Sequence, residues 1–353
     1  YRWQHRQQIA GGWEISLEPG YVSDETFLEE FFPSQAATAK PWETSVYLKK
    51  QQDDWAFTFL GSYDINGFAP QTTTLQSPGY RVDKLPELGY YRIGTSLWDD
   101  RLTYFSETTL SRMRLRFGSD KPSDRGFDDE DSLRNFGIPA SMPFGDAFRA
   151  AGFDSDWRTR FDTRHEIQAP MKWGFVDAVP YVSGRFTAYD DDFEEYAGED
   201  DNLRFFGTAG IRLHSQFHRT YNDVDSRLLN VHRLRHLFEP IVEFGHAYSS
   251  YNPEDVPVYD DRVEALQEGT HLRFGFRNTL QTMRGGEDRW RSVDWLTLNS
   301  FFVIRSDDAN NSTIPQYFSY RPEFGTGGDH FHSDMMWMVS DTLAAIAEIT
   351  YDF

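Results

Sequence analysis

Residues 269–283, GTHLRFGFRNTLQTM, carry the pattern that decides the fold of this chain. Alternate positions hold the apolar side chains Leu272, Phe274, Phe276 and Leu280. The positions between them hold His271, Arg273, Arg277 and Gln281. A period of two indicates a β-strand, because successive side chains of a strand point to opposite faces. In a soluble sandwich the apolar face would be buried in a core, whereas in a membrane barrel it would meet lipid and the arginines would meet a wet lumen.

The composition is compatible with the membrane barrel. The 353 residues are 16% aromatic with a mean hydropathy of -0.64, and no run approaches the ~18 apolar residues of a membrane helix. Barrel strands give a much weaker hydropathy signal and are flanked by aromatic girdles. The chain has no cysteine, which excludes disulfides and thiolate metal sites within it. Its net charge of -21 argues against a nucleic-acid partner.

The alternation recurs along the whole chain. Beyond residues 1–9, 13–17 and 269–283, we predict strands at residues 42–50, 55–63, 88–93, 102–117, 157–167, 175–189, 203–217, 234–248, 293–305, 316–324 and 342–353. Many of these strands, which number about 13 or more, exceed the mean of about 5–6 residues found in globular proteins, and short turns alternate with long polar loops. We therefore expect an all-β fold, a large antiparallel transmembrane β-barrel.

Several segments interrupt the strand series. Residues 21–32 predict a small amphipathic helix, since Phe27, Phe31 and Phe32 lie at helical spacing. Residues 70–86 and the acidic insertion 118–156 read as loops, and Pro180 implies a bulge or an edge. The helix at 21–32 either plugs or lines the lumen or packs its own aromatic side chains.

Three stretches resemble segments of one known family. The first comprises Val22, Ser23, Asp24, Phe27, Leu28 and Phe31. The second comprises Tyr80 and Arg81, followed by Leu85, Pro86, Glu87 and Leu88. The third comprises His236, Leu237, Phe238, Glu239 and Pro240, leading to Pro257, Tyr259 and Asp260. Together and in this order they resemble the LPS-assembly protein family LptD, also called organic solvent tolerance protein.

The resemblance implies a very large outer-membrane barrel preceded by a periplasmic jellyroll. It implies that a plug lipoprotein (LptE-like) fills the lumen and that periplasmic components of lipopolysaccharide transport deliver the substrate. The family passes lipopolysaccharide through a lateral opening into the outer leaflet of the bilayer, with no cofactor and no enzymatic step. Residues 1–353 resemble only the C-terminal part of the barrel, so we expect an incomplete piece of a larger barrel, without the jellyroll.

The resemblance also suggests a use for the charged side of the strands. Possible lumen contacts to lipopolysaccharide phosphates are Arg112, Arg114, Arg116, Arg204, Arg212, Arg273 and Arg277. The commoner alternative is cross-strand ion pairing with Asp162, Glu166, Glu239 and Glu243. The acidic loop 190–201 is either a solvated loop or a holder of divalent cations that bridge lipopolysaccharide. Phe353 either ends a signal for barrel assembly or marks a cut within a strand.

Other function classes remain as alternatives. A general porin or nutrient channel would share the barrel, and a soluble acidic carbohydrate-binding β protein would bury the apolar faces instead. An enzyme is disfavoured, because the chain has no Gly-x-Ser-x-Gly and no Ser–His pair stands out. We therefore assign no catalytic and no metal residue.

Overall fold

The fold is built from strands that join into one sheet. The computed structural model describes residues 1–24, 27–32, 42–66, 80–190, 202–251, 256–266, 268–286, 289–306 and 329–353. The strands are β1 (His5–Ile9), β2 (Trp13–Glu18), β3 (Thr44–Gln52), β4 (Trp55–Tyr63), β5 (Tyr80–Leu97), β6 (Leu102–Phe117), β7 (Arg158–Gln168), β8 (Met171–Trp173), β9 (Val176–Tyr189), β10 (Leu203–His214), β11 (Phe217–Ser226), β12 (Val231–Ser249), β13 (Gly269–Arg284), β14 (Arg291–Arg305), β15 (His330–Met338) and β16 (Ala344–Asp352).

All 16 strands belong to a single antiparallel sheet. Its order follows the chain from β1 to β16, except that β8 pairs only with β9 and β11 pairs only with β12. Within the described residues the sheet is open, with β1 at one edge and β16 at the other. The predicted all-β, barrel-like architecture of long strands is confirmed.

The few helices lie in the long connections. They are α1 (Phe27–Phe31), a 3₁₀ helix (Pro122–Arg125), α2 (Asp129–Phe136) and α3 (Phe144–Ala150). The helix expected at 21–32 is thus present as the short α1. The insertion 118–156 contains helices and is not a plain loop. Asp128 is the N-cap of α2, and Phe148 of α3 stacks on Phe117 of β6 with ring centroids 5.5 Å apart. None of the helices in the described part of the chain has the length and apolar character that a membrane crossing needs.

The sheet presents two chemically different faces. The inner face carries buried charged side chains such as Arg160, Arg204 and Glu243, which are at most 3% exposed. The outer face carries apolar side chains open to the surroundings, among them Phe244 at 49% and Phe274 at 38% exposure. A soluble sandwich would bury the apolar face and expose the charges, so the burial is the reverse of what that alternative requires.

Some predicted boundaries are wrong, and the cause is strand pairing. Residues 80–86 were expected in a loop but belong to β5, because Tyr80 pairs with Phe117 and continues the ladder. Of the two alternatives for Pro180, the structure fits the edge and not the bulge, because the β7–β9 pairing ends just before Pro180 while the β9–β10 register runs through it without a shift. The pattern failed to predict β11 and β15 as separate strands. The strand predicted at 316–324 lies outside the described residues.

Candidate functional site

The inner face is densest in charge on β7. Every second residue of this strand is buried, namely Arg158, Arg160, Asp162, Arg164 and Glu166. Buried charges are costly unless they are paired, so each must have a partner nearby. On the neighbouring β9, Arg185 supplies one by approaching Asp162 to 3.1 Å. The row therefore forms part of a cross-strand ionic network, as the ion-pair alternative anticipated.

A segment of the connection between β12 and β13 lies on this network. We call residues 256–266 the inner loop. Its Glu264 is fully buried and accepts a hydrogen bond of 2.6 Å from Arg160, which is 1% exposed. The hydroxyl of Tyr189 donates to the same carboxylate at 2.8 Å. Glu264 is thus fixed by two strands that lie far from it in the sequence.

Arginine side chains of the sheet also hold the backbone of the inner loop. Arg204 donates to the carbonyl oxygens of Val263 at 2.6 Å and of Leu266 at 3.0 Å. Arg185 donates to the carbonyl oxygen of Arg262. A loop buried against a sheet needs partners for its carbonyl groups, and these guanidinium groups supply them. Arg204, a predicted phosphate contact, is therefore engaged with the inner loop.

Apolar contacts complete the attachment of the inner loop. The cluster consists of Met113, Leu115, Tyr189, Tyr251, Val256 and Tyr259, each at most 6% exposed. It joins strands β6 and β9 to the connection that follows β12. Full burial of a large apolar side chain contributes about 1.5–3 kcal/mol to the free energy of folding, so the inner loop is held by apolar packing as well as by ion pairs.

Two of the three family-like stretches meet at the inner loop. Lys84, which precedes Leu85 and Pro86, contacts Glu87 at 2.9 Å and Asp260 at 3.3 Å. Burial by itself would raise the pKa of Asp260, but the charges of Lys84 and Arg160 outweigh it and hold that pKa below its usual range. The hydroxyl of Tyr80 donates to the carbonyl oxygen of Val258 at 2.8 Å.

The remaining positions of these stretches have separate environments. In the first, the backbone N–H of Val22 donates to Asn66 at 2.7 Å and Phe27 packs 6.0 Å from Trp42. Ser23 and Asp24 are exposed just before α1, Phe31 is 69% exposed, and the side chain of Leu28 lies outside what the structure describes.

The third stretch begins on β12, on the strand next to β13. His236 hydrogen-bonds Asn278 at 2.9 Å, and Glu239 accepts from Gln216 at 3.0 Å. Pro240 faces Phe276 in the register. Leu85, Pro86 and Leu88 lie on β5, and Pro257 and Tyr259 lie in the inner loop.

A second charged region of the inner face lies beside the loop. Arg273 contacts Glu243 at 2.8 Å, and Arg212 lies 3.6 Å from Glu166. Arg277 is exposed and faces Glu239 in the register. This region offers guanidinium groups that the inner loop does not cover.

One cross-strand row in this region places aromatic rings over glycines. Tyr181, Gly210, Gly245 and His271 face one another on four consecutive strands of the sheet. A Cβ on Gly245 would lie 2.5 Å from His271 and 2.7 Å from the Tyr181 hydroxyl. The absence of side chains at the two glycines therefore lets both rings lie across the sheet. Arg212 stacks on Tyr181, with its Cζ 4.7 Å from the ring centroid.

The arginines of β6 do not lie on the inner face, where we expected them. Arg112, Arg114 and Arg116 alternate with Met113 and Leu115, whose side chains pack against the inner loop. The three guanidinium groups therefore point outward, near the end of β6 that leads into the insertion 118–156. The expectation failed because apolar side chains of this part of β6 face inward to meet the loop.

Sequence reasoning missed several of the residues that hold the inner loop. Arg160 belongs to the alternating row of β7, but the sequence around Glu264 and Lys84 contains no local pattern that distinguishes these two residues. Among the described residues, no group of three or more His, Asp or Glu side chains is placed to hold a metal ion. The acidic loop 190–201 lies almost wholly outside the described residues.

Comparison with known protein families gives a match over most of the chain. The family described as LptD: LPS transport system D matches residues 1–274, which is most of the chain. No curated protein matches the chain. The resemblance drawn from the three stretches is confirmed.

Proposed function

Because the chain belongs to the LptD family, whose members act in lipopolysaccharide transport at the outer membrane, we propose that its sheet forms one wall of a guiding path for lipopolysaccharide. In this proposal the sugar and phosphate groups travel along the inner face. The acyl chains pass into the bilayer through a seam between strands. The protein guides the molecule and performs no chemical step.

The distribution of side chains supports this path. The inner face holds charged side chains and the outer face holds exposed apolar ones such as Phe244 and Phe274. Such a division suits a wall with lipid on one side and hydrated saccharide on the other. This division is the observation that carries the proposal.

Within the path, we assign phosphate contacts to Arg212, Arg273 and Arg277. Arg273 lies 2.8 Å from the carboxylate of Glu243, Arg212 lies 3.6 Å from that of Glu166, and Arg277 is exposed. Guanidinium groups form bidentate hydrogen bonds with phosphate, so a passing phosphate can exchange with a carboxylate partner. Arg204 has a different role, because it holds the inner loop.

The inner loop narrows the path from one side. It occupies the inner face next to β7, β9 and β10, while the region of Arg212 and Arg273 stays outside its contacts. We infer that saccharide passes beside the inner loop. A plug lipoprotein (LptE-like) and periplasmic transport components complete the assembly in this proposal.

Depletion of the full-length protein tests the proposal. Cells that lose it should show less newly made lipopolysaccharide at the surface, measured by labelling intact cells. Re-expression of the native protein should restore the label. Unchanged surface lipopolysaccharide after depletion would contradict the function.

A set of variants tests the assigned path. Simultaneous replacement of Arg212, Arg273 and Arg277 by Gln should slow the appearance of surface lipopolysaccharide at least about tenfold, since the loss of even one charge-assisted contact costs about 1.5–3 kcal/mol. The matched control is Arg219→Gln on β11, an exposed arginine elsewhere in the sheet. Equal rates of lipopolysaccharide transport by the triple variant and the control would contradict the assignment of these three arginines as phosphate contacts.

A further inference from the structure

The outer face carries a group of arginines where a lipid-facing surface is expected to be apolar. We call Arg81, Arg112, Arg114 and Arg116, together with Asp64 and Asp83, the outer arginine cluster. Asp83 is fully buried and accepts a hydrogen bond from Arg114 at 2.9 Å. Arg81 pairs with Asp64, whose backbone carbonyl also accepts from Arg116.

The cluster retains positive charge and access. Four guanidinium groups meet the carboxylates of Asp64 and Asp83, and the charge of Glu43 also acts on Arg81, so at least one formal positive charge is in excess. The side chains of Arg114 and Arg116 are 25% and 28% exposed, and Arg112 is exposed. Arg112 has no ion pair within the described part of the chain. An incoming anion can therefore reach N–H groups of at least three arginines.

Aromatic rings fix the orientation of two of these arginines. The Cζ atom of Arg114 lies 4.7 Å from the ring centroid of Trp157, and that of Arg116 lies 5.1 Å from the ring centroid of Tyr63. Stacking holds each guanidinium plane and leaves its N–H edges free to point elsewhere. A pre-oriented set of donors loses less entropy when it binds an anion.

The position along the strand points to the kind of anion. On β6, the stretch from Leu102 to Leu110 has the length of about 9–11 residues that a barrel strand needs to cross a bilayer. The outer arginine cluster begins just beyond it, at the end that leads into a long insertion. Long loops of outer-membrane barrels lie on the external side, so the cluster lies at the headgroup level of the outer leaflet.

Apolar side chains lie next to the cluster on the membrane side. Leu110 is 45% exposed, Phe161 is 40% exposed and Leu85 is 39% exposed. A free phosphate would use the arginines alone, whereas a lipid would use the arginines and this apolar surface together. The two surfaces are continuous, which favours an acylated ligand.

We propose that the outer arginine cluster binds the phosphate of an acylated, phosphorylated glycolipid of the outer leaflet. The acyl chains lie along Leu85, Leu110 and Phe161, and the phosphate meets Arg112, Arg114 and Arg116. The identity of this lipid as lipopolysaccharide rests on the proposed function. The site lies on the outside of the wall, so it holds lipid that has left the guiding path.

Lipid binding to the full-length protein tests this site directly. The protein is placed in phosphatidylcholine nanodiscs with bis-phosphorylated lipid A, and retained lipid A is counted by native mass spectrometry. The double variant Arg112→Gln with Arg114→Gln should retain about tenfold less lipid A than the native protein, because charge-assisted contacts are lost. The matched control Arg219→Gln, whose guanidinium also lies over a tyrosine ring, should retain the native amount.

Two further binding measurements determine whether the site recognises a phosphorylated lipid or a free anion. Lipid A without phosphates should bind native protein and double variant equally weakly. Inorganic phosphate should not displace lipid A, because it lacks the acyl contacts. Displacement by inorganic phosphate would overturn the assignment of a lipid and indicate a simple anion site.

Folding of the variants is monitored separately. Arg112→Gln alone removes no described ion pair, so it should fold as the native protein does and still lose part of the lipid A. Equal retention of phosphorylated lipid A by all the variants would overturn the site. Failure of the lipid A binding test would not affect the result of the depletion experiment. Conversely, unchanged surface lipopolysaccharide after depletion would contradict the proposed function but not the binding of lipid A to this site.

Discussion

Arg160 and Glu264 are separated by 104 positions in the sequence, and their side chains meet at 2.6 Å in the interior, where they are 1% and 0% exposed. Arg160 belongs to the sheet and Glu264 belongs to the inner loop. Removal of one partner of a buried ion pair leaves an uncompensated charge, which costs far more than the pair contributes. This contact therefore decides whether the loop stays on the inner face.

Glu264→Gln should release the inner loop. We expect a loss of about 3–5 kcal/mol in the free energy that holds the loop, because the charge of Arg160 would remain buried without its partner. Limited proteolysis of the folded protein should then cut within residues 256–266. Asp261→Asn is the matched control, since it removes the same charge at an exposed position of the same loop. Equal cleavage of both variants would contradict the role of Glu264.

The attachment of the inner loop should also depend on pH. The pKa of Asp260 is lowered by Lys84 and Arg160 despite its burial, so its charged form stabilises the folded loop. The stabilisation by the charged carboxylate is fully present at pH values above the pKa of about 3.9 that Asp260 has in the unfolded chain. It is lost as the pH falls through the lower pKa that Asp260 has in the folded protein.

Proteolysis of the inner loop with an acid-active protease, from about pH 5 to about pH 2, measures this dependence. The native protein should lose protection at the acid end more steeply than Asp260→Asn, which has already lost the charge. Identical pH profiles for native protein and variant would show that Asp260 does not contribute.

Much of the fold follows from the alternation in the sequence. The predicted strands at Trp55–Tyr63 and Leu102–Phe117 have the same ends in the structure, because polar turns bound them clearly. The inner loop could not be predicted, since its partners Arg160 and Tyr80 come from distant strands. The same contacts explain why Met113 and Leu115 face inward, which reversed the faces expected for β6.

The inner face of β13 contains one glycine that no larger residue should replace. A Cβ on Gly275 would clash with the carbonyl oxygen of Ser300 and lie 2.8 Å from the Cα of Phe301, so the neighbouring strand would have to move. Gly275→Ala should reduce the yield of folded protein severalfold and lower its thermal stability by about 1–3 kcal/mol. Heat-modified mobility on gels measures the folded fraction.

Gly286→Ala is the control for this substitution. A Cβ on Gly286 meets nothing within 4 Å, so this variant should fold like the native protein. Gly275→Ala with native stability would mean that β13 and β14 lie farther apart than in this structure.

The central claim is that lipid lies on the outer face and water on the inner face. The chain has no cysteine, so Arg273→Cys and Phe274→Cys introduce single sites for a nitroxide spin label on neighbouring residues of β13. Electron paramagnetic resonance of the full-length protein in lipid, with any other cysteines replaced by serine, measures collisions with oxygen and with a water-soluble nickel complex. The label at 274 should collide mainly with oxygen and the label at 273 mainly with nickel, whereas the reverse order, or nickel access at both positions, would contradict the account.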